Sequence, residues 1–198
     1  VLRLTLRGHT NWLWQASFSP DGTHIVTASR DLTARIWDAK TGAPIRTLTG
    51  HLASVLDARY LKSGKEIATA SADKTVKIWD AETGEVLRTF QGHNARVNGL
   101  AVSADGRRIA SVDTSGAVRI WNAANGELVA SFDVPGANWQ DVSFDRAGGR
   151  VAAASEDGQA FVWDVGGRRL LQTVNHTTKL FTVAFIAPGE LATGGIDG

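Results

Sequence analysis

Cysteine and methionine are absent from the 198 residues, proline occurs only 4 times and tyrosine once. Without cysteine there is no disulfide, no zinc–thiolate site and no thiol nucleophile. No apolar run approaches the ~20 residues that would span a bilayer as a helix, and the N-terminus does not read as a signal peptide. Charge of one sign is also lacking: the formal net charge is +1. That balance gives no bulk electrostatic reason to expect nucleic acid or an anionic membrane as partner. The basic pairs Arg107-Arg108 and Arg168-Arg169 flank Gly-rich turns and read as solvated turns. Asn175-His176-Thr177 fits a glycosylation sequon, a weak signal without evidence of secretion. What remains is ordinary globular composition, 43% hydrophobic with 21 Gly.

What is present is a period. Trp-Asp stands at 37–38, 79–80 and 163–164, with Trp-Asn at 121–122, and Gly-His stands at 8–9, 50–51 and 92–93. Every step in both series is 42 residues or a multiple of it. A fixed step of this length marks small supersecondary units, each too small to bury its own apolar face and therefore stacked on its neighbours.

The first unit resolves into four strands. Leu13–Phe18 is β-prone and ends in the turn Pro20-Asp21-Gly22. His24–Ser29, Thr33–Trp37 and Pro44–Leu48 follow, separated by Arg30-Asp31 and by a turn closing on Gly42. The second and third strands carry apolar or small residues on both faces, which predicts a sheet covered on both sides. The fourth is more polar and predicts an outer edge. The first is crowded with small residues and predicts an inner one. Its apolar positions change phase between Leu13 and Ala16, which predicts a β-bulge at Trp14-Gln15. Four-stranded antiparallel sheets tapering to one side pack radially, as in an all-β propeller.

Gly-His, Phe18-Ser19-Pro20-Asp21-Gly22, Ala28-Ser29-Arg30-Asp31 and Trp37-Asp38 resemble WD-repeat β-propellers, and the resemblance recurs in register along the chain. The likeness between units resembles the multi-repeat propellers of bacterial signalling chains, often joined to kinase, protease or nucleotide-switch domains. The expected organisation is a leading outer strand over 1–7 (Leu2, Leu4 and Leu6 alternating), repeats at 8–49, 50–91, 92–133 and 134–174, and a truncated repeat at 175–198. The expectation is four full blades and part of a fifth within a ring that the resemblance implies has seven. Further blades of a longer chain, or a second copy, would close it.

Each unit repeats a polar set: His9, Ser29, Asp31 and Trp37, then His51, Ser71, Asp73 and Trp79. Ser, His and Asp together invite a hydrolase reading. Repetition argues against it, because a nucleophile is needed once. The resemblance implies instead that Asp accepts from the His ring, His meets the Ser hydroxyl, and Ser accepts from the Trp indole. Every buried polar group is then paired. The third unit keeps His93 and Trp121 but exchanges the other two types, Asp113 and Ser115, leaving open whether its set connects. The fourth keeps Ser155, Asp157 and Trp163 with Pro135 in place of His. The fifth has His176, Gly195 and Asp197. Units one and two are therefore expected to be stiffest.

The family resemblance also implies a partner-binding face. Alignment carries it onto Trp12, Trp14 and Arg30; Leu56; Arg96 and Asn98; Gln140 and Glu156; Lys179 and Phe181. Aromatics and Arg dominate binding hot spots. The expected function is a non-catalytic platform for a protein or peptide partner, cytoplasmic, with no cofactor or metal and no nucleic-acid or membrane partner. The alternative is a small-molecule binder or enzyme built around the channel. Asp57 and Asp141 hold equivalent inner positions there, but no phosphate loop, carboxylate pair or metal-ligand cluster accompanies them.

Overall fold

Short runs of β-branched and aromatic residues, each closed by a tight turn, form eighteen strands among the described residues. The computed structural model describes residues 4–196. The chain divides into two compact units, 1–91 and 92–198.

The first unit holds two sheets. One is β1 (Leu13–Phe18), β2 (His24–Ser29), β3 (Thr33–Asp38) and β4 (Pro44–Thr49), in that order and antiparallel. The other is β5 (Val55–Tyr60), β6 (Glu66–Ser71), β7 (Val76–Asp80) and β8 (Val86–Phe90), with the same order. Val26, Ala28, Ile36 and Leu48 of the first sheet pack on Val55, Ala58, Tyr60, Ile67 and Trp79 of the second. The effect of that cover shows at one repeated position. Tyr60 is 8% exposed, whereas Phe18, one repeat earlier on β1, is 65% exposed.

The second unit holds β9 (Val97–Val102) to β12 (Leu128–Asp133), with β10 (Arg108–Asp113) and β11 (Ala117–Asn122) between them, again as a meander. A further sheet follows the same path: β13 (Trp139–Phe144), β14 (Arg150–Ser155), β15 (Gln159–Asp164) and β16 (Arg169–Asn175). Last comes a hairpin, β17 (Leu180–Ala187) and β18 (Glu190–Gly195). One core joins Ala110, Val118 and Ile120 to Trp139, Val151 and Trp163, and another joins Ala152, Ala154 and Val162 to Leu180 and Val183. The fold is all-β. Its four-stranded antiparallel sheets are the repeating blades of an incomplete propeller. Among the described residues no helix is long and apolar enough to cross a membrane, which leaves strand-built spans unaddressed.

The outer strand expected over 1–7 differs from what is found. Leu2 lies outside the described residues, and 4–7 form no strand. Leu4 and Leu6 nevertheless lie against the turn at Gly42, 3.7 and 3.5 Å from where a Cβ there would stand. Arg46 and Leu48, one repeat on, lie in the same way against the turn at Gly84. Among the described residues the segment pairs with no strand and so makes no ladder hydrogen bonds. Asp197, expected in the fifth repeat's turn, also lies outside the described residues.

Candidate functional site

The bulge foreseen at Trp14-Gln15 recurs in every inner strand. Pairing runs Leu13↔Ser29 then Gln15↔Ala28, so Trp14 is the extra residue. Leu56, Asn98, Gln140 and Phe181 are skipped in the same way. A bulge leaves one residue out of the ladder and re-aims its side chain. Five expected contact residues therefore share one backbone device at one end of each sheet, beside the turn from second to third strand.

Their surroundings divide them. In the first unit Trp12 is 67% and Trp14 50% exposed. Their rings meet edge-on at 6.4 Å, and the Arg30 guanidinium lies 5.4 Å from the Trp12 ring centre. The Arg30 amide donates to the Trp12 carbonyl at 2.9 Å, which holds the two residues together. Leu56 is half-buried. In the second unit most of the polar candidates are already engaged within the protein. Asn98 donates to the Trp139 carbonyl at 2.7 Å, and Gln140 donates to the Asn138 carbonyl and side-chain oxygens. Glu156 accepts from Asn138 at 2.6 Å and pairs with Lys179. Arg96 and Phe181 are exposed. Asp141 is turned to structural use rather than a channel: Oδ2 accepts from Thr182 Oγ1 at 2.7 Å and the Val183 amide at 3.0 Å. Asp57 Oδ2 accepts from Arg59.

The repeated polar set closes, but through a different hydroxyl from the one expected. His51 Nδ1 lies 2.7 Å from Asp73 Oδ2, and its Nε2 lies 2.7 Å from Thr69 Oγ1. The Trp79 indole donates to the same Thr69 oxygen at 2.7 Å. His9, Asp31, Thr27 and Trp37 repeat this at 2.7, 2.7 and 2.8 Å. Register gives the reason. Trp37 pairs with Ile25, so Thr27 is its diagonal neighbour on the same face. Ser29 is four residues from Ile25, roughly 13 Å along the strand and beyond the indole's reach. Ser29 and Ser71 instead tie the turn: each hydroxyl accepts from the amide of Asp31 or Asp73 and donates to a carbonyl of the preceding loop.

The third sheet keeps the whole relay. Ser111 supplies the hydroxyl, 2.6 Å from His93 Nε2 and 2.8 Å from Trp121 Nε1. Asp113, two residues earlier than its counterparts, still reaches His93 Nδ1 at 2.7 Å. Ser115 donates to the other Asp113 oxygen at 2.7 Å. The question the sequence left open at Asp113 and Ser115 is answered: the third set connects, through Asp113 and Ser111. The fourth sheet has Ala153 at the hydroxyl position and Pro135 at the His position. It packs aromatic rings instead: Trp163 stacks on Phe132 and Phe161 at 5.3 and 5.6 Å, with Trp139 edge-on at 5.7 Å. Ser155 accepts from the Asn138 amide, and Asp157 is exposed. In the fifth, His176 Nε2 keeps a hydroxyl partner, Thr193, at 3.1 Å.

Proton directions follow from the partners. The indole only donates and the Asp73 carboxylate only accepts, so in the neutral ring Nε2 accepts from the Thr69 hydroxyl, whose oxygen accepts the indole N–H. The His51 proton then sits on Nδ1 and faces the carboxylate. Burial pushes the His51 pKa down and prevails over the nearby Asp73 charge. Burial by itself would raise Asp73, but bonds from Thr75, the Leu52 amide and His51 outweigh it and lower its pKa to about 2. Asp31 and Asp113 are lowered likewise against burial, by Thr33 and His9 and by His93 and Ser115. Both members of the second relay are thus depressed, and each contributes stability above its unfolded pKa that is lost as pH falls through its folded one. The urea midpoint is expected to hold from pH 8 to 7, to fall as pH drops below about 6.5, and to fall again between about pH 4 and 2. A midpoint that rises on acidification from pH 7 to 5 contradicts this assignment.

The hydroxyl–imidazole–carboxylate order matches a hydrolytic triad, but the access does not. Thr69 and Ser111 are fully buried, Thr27 nearly so, and an indole N–H already occupies each oxygen. Among the described residues no group of three or more His, Asp and Glu side chains is placed to hold a metal.

A family model described as the IFT122 first beta-propeller matches residues 12–197. Shorter likenesses join it. Lissencephaly-1 homolog 1 of Paramecium tetraurelia is 50% identical over 36 residues, 18% of this chain and 9% of that protein. Apoptotic protease-activating factor 1 of Mus musculus is 50% identical over 34 residues, 17% of this chain and 3% of that protein. Serine-threonine kinase receptor-associated protein of Homo sapiens is 41% identical over 44 residues, 22% and 13% respectively. Each alignment is about one repeat long, so each reports the repeat type, and the chain covers a small part of each relative. All three sources are eukaryotes, and the bacterial affiliation expected from the sequence finds no support in them.

Proposed function

The chain belongs to the IFT122 first beta-propeller family of WD-repeat propellers, and from that premise we propose that it is a non-catalytic platform for a protein or peptide partner. One observation carries the reading: Trp12 and Trp14 stand out from the bulged end of the first sheet with Arg30 stacked on Trp12. Rigid aromatic side chains offer large contact area with few rotors to immobilise, and Arg adds directional donors. The bulge and the Arg30–Trp12 backbone bond hold them in place before any partner arrives. The polar relays lie behind them as buried structure. Within the second unit Arg96 and Phe181 are exposed candidates. Asn98 and Gln140 are taken up by Trp139 and Asn138, and Glu156 by Asn138 and Lys179.

Replacing Trp12, Trp14 and Arg30 together with Ala is expected to weaken partner capture by more than about thirtyfold. The thermal midpoint should stay near wild type, because none of the three side chains belongs to a buried cluster. Affinity capture with the two proteins side by side, compared by mass spectrometry, reads the result. An identical captured set moves the site to another surface.

A further inference from the structure

Resting on that reading, we infer that the partner presents an acidic segment bearing an apolar anchor. The same end of the first unit carries two further apolar side chains, Leu32 and Leu52, the latter 88% exposed. It also carries two exposed cations, Arg30 and Lys74, neither of which forms an ion pair among the described residues. The carboxylates that could offset them are turned inward. Asp31 accepts from His9 and the Thr10 amide on one oxygen and from the amide and hydroxyl of Thr33 on the other. Asp73 is saturated in the same way by His51, the Leu52 amide and Thr75. What faces outward is apolar surface with two cationic head groups free to pair, while the neighbouring carboxylates are withheld from a partner, and complementary charge is what sets partner choice at such a surface.

Backbone geometry adds a second, independent observation. Leu32 and Lys74 sit one repeat apart, both at φ 72°, a conformation that favours glycine. The equivalent residues of the second unit are Gly116 and Gly158, at φ 95° and 87°. There a Cβ would meet loop carbonyls, at 2.0 Å from the Val134 oxygen and 2.7 Å from the Thr178 oxygen. In the first unit an exposed apolar side chain and an exposed cationic one stand at this position despite the backbone. Strain kept where a side chain reaches solvent points to a use for that side chain. A nucleic acid fits less well: it takes its affinity from several phosphate contacts, whereas aliphatic Leu32 and Leu52 suit protein side chains.

The test uses the 198-residue chain and fluorescein-labelled synthetic peptides, each with a Leu or Phe anchor flanked by acidic, neutral or basic residues. Polarisation should show the acidic set bound most tightly, with binding weakening as salt rises. Arg30→Glu with Lys74→Glu should weaken the acidic set by about tenfold or more and favour the basic set. Leu32→Gly should weaken binding without lowering the thermal midpoint. Peptides bound regardless of charge, yet lost in the Trp12/Trp14/Arg30 variant, overturn the acidic class and leave the docking end standing. Binding that survives that variant overturns both. An array with no acidic peptide bound, or a single-stranded oligonucleotide bound in preference, overturns the inference as well.

Discussion

Thr69→Val lowers the unfolding free energy by about 2–4 kcal/mol, and Asp73→Ala by a similar amount. Thr69 Oγ1 is the one atom that both the Trp79 indole and His51 Nε2 meet. Valine keeps the volume and the β-branch, so packing and strand propensity hardly change. What changes is that a buried N–H donor and a buried ring acceptor both lose their partner, and orphaned buried polar groups are penalised by their full desolvation. Removing the Asp73 carboxylate frees four donors at once: the His51 ring, the Leu52 amide, and the amide and hydroxyl of Thr75. Ser71→Ala should be milder, about 1 kcal/mol, since Ser71 bonds only the backbone of its own turn and loop. Urea denaturation of the three variants side by side gives the ranking. Ser71→Ala as the most damaging would restore the set as first expected.

The second large effect lies at the turn after the second strand. Gly116→Ala is expected to destabilise by roughly 3 kcal/mol or more, because overpacking and a left-handed backbone act together. The added Cβ would stand 2.0 Å from the Val134 carbonyl oxygen, and Gly116's own carbonyl accepts the Val134 amide. The loop therefore cannot back away without losing a bond. One position serves as its own control. Leu32→Gly, at the equivalent residue with φ 72°, should stabilise by about 0.5–1 kcal/mol, the relief of strain exceeding the entropy that glycine adds to the unfolded chain. Thermal or urea unfolding reads both. Opposite signs at equivalent positions are expected; a harmless Gly116→Ala would contradict the loop geometry.

Much of the fold was legible because its signals are local and repeated. The strands of the first unit, the turns and the bulge at Trp14 all follow from short-range pattern. The polar set was legible in its members and misassigned in its hydroxyl. Conspicuous Ser29 and Ser71 stand next to the turn, whereas Thr27 and Thr69 sit among apolar strand residues. Only the pairing Ile25↔Trp37 shows that the earlier hydroxyl faces the indole. That register could have been drawn from the turn length. Asp113 was harder, since its carboxylate replaces a partner two residues further on and only three-dimensional reach settles it. The exposure of Trp12 and Trp14 was expected from the family resemblance, and the bulge gives its physical cause at Trp14. The left-handed Leu32 and Lys74 were not, because neither residue type advertises a positive φ.

The central claim is that the repeated His, hydroxyl, Trp and Asp form buried structural relays rather than reactive groups. Nitrogen NMR of the imidazoles in the intact chain tests it most directly, at the His51 ring. The account predicts a neutral ring at pH 7 with its hydrogen on Nδ1, exchanging slowly with water, and still neutral somewhat below pH 6.5 where a free histidine has begun to charge. A ring protonated on Nε2 instead, or one in rapid exchange with solvent and titrating like a free histidine, would contradict it.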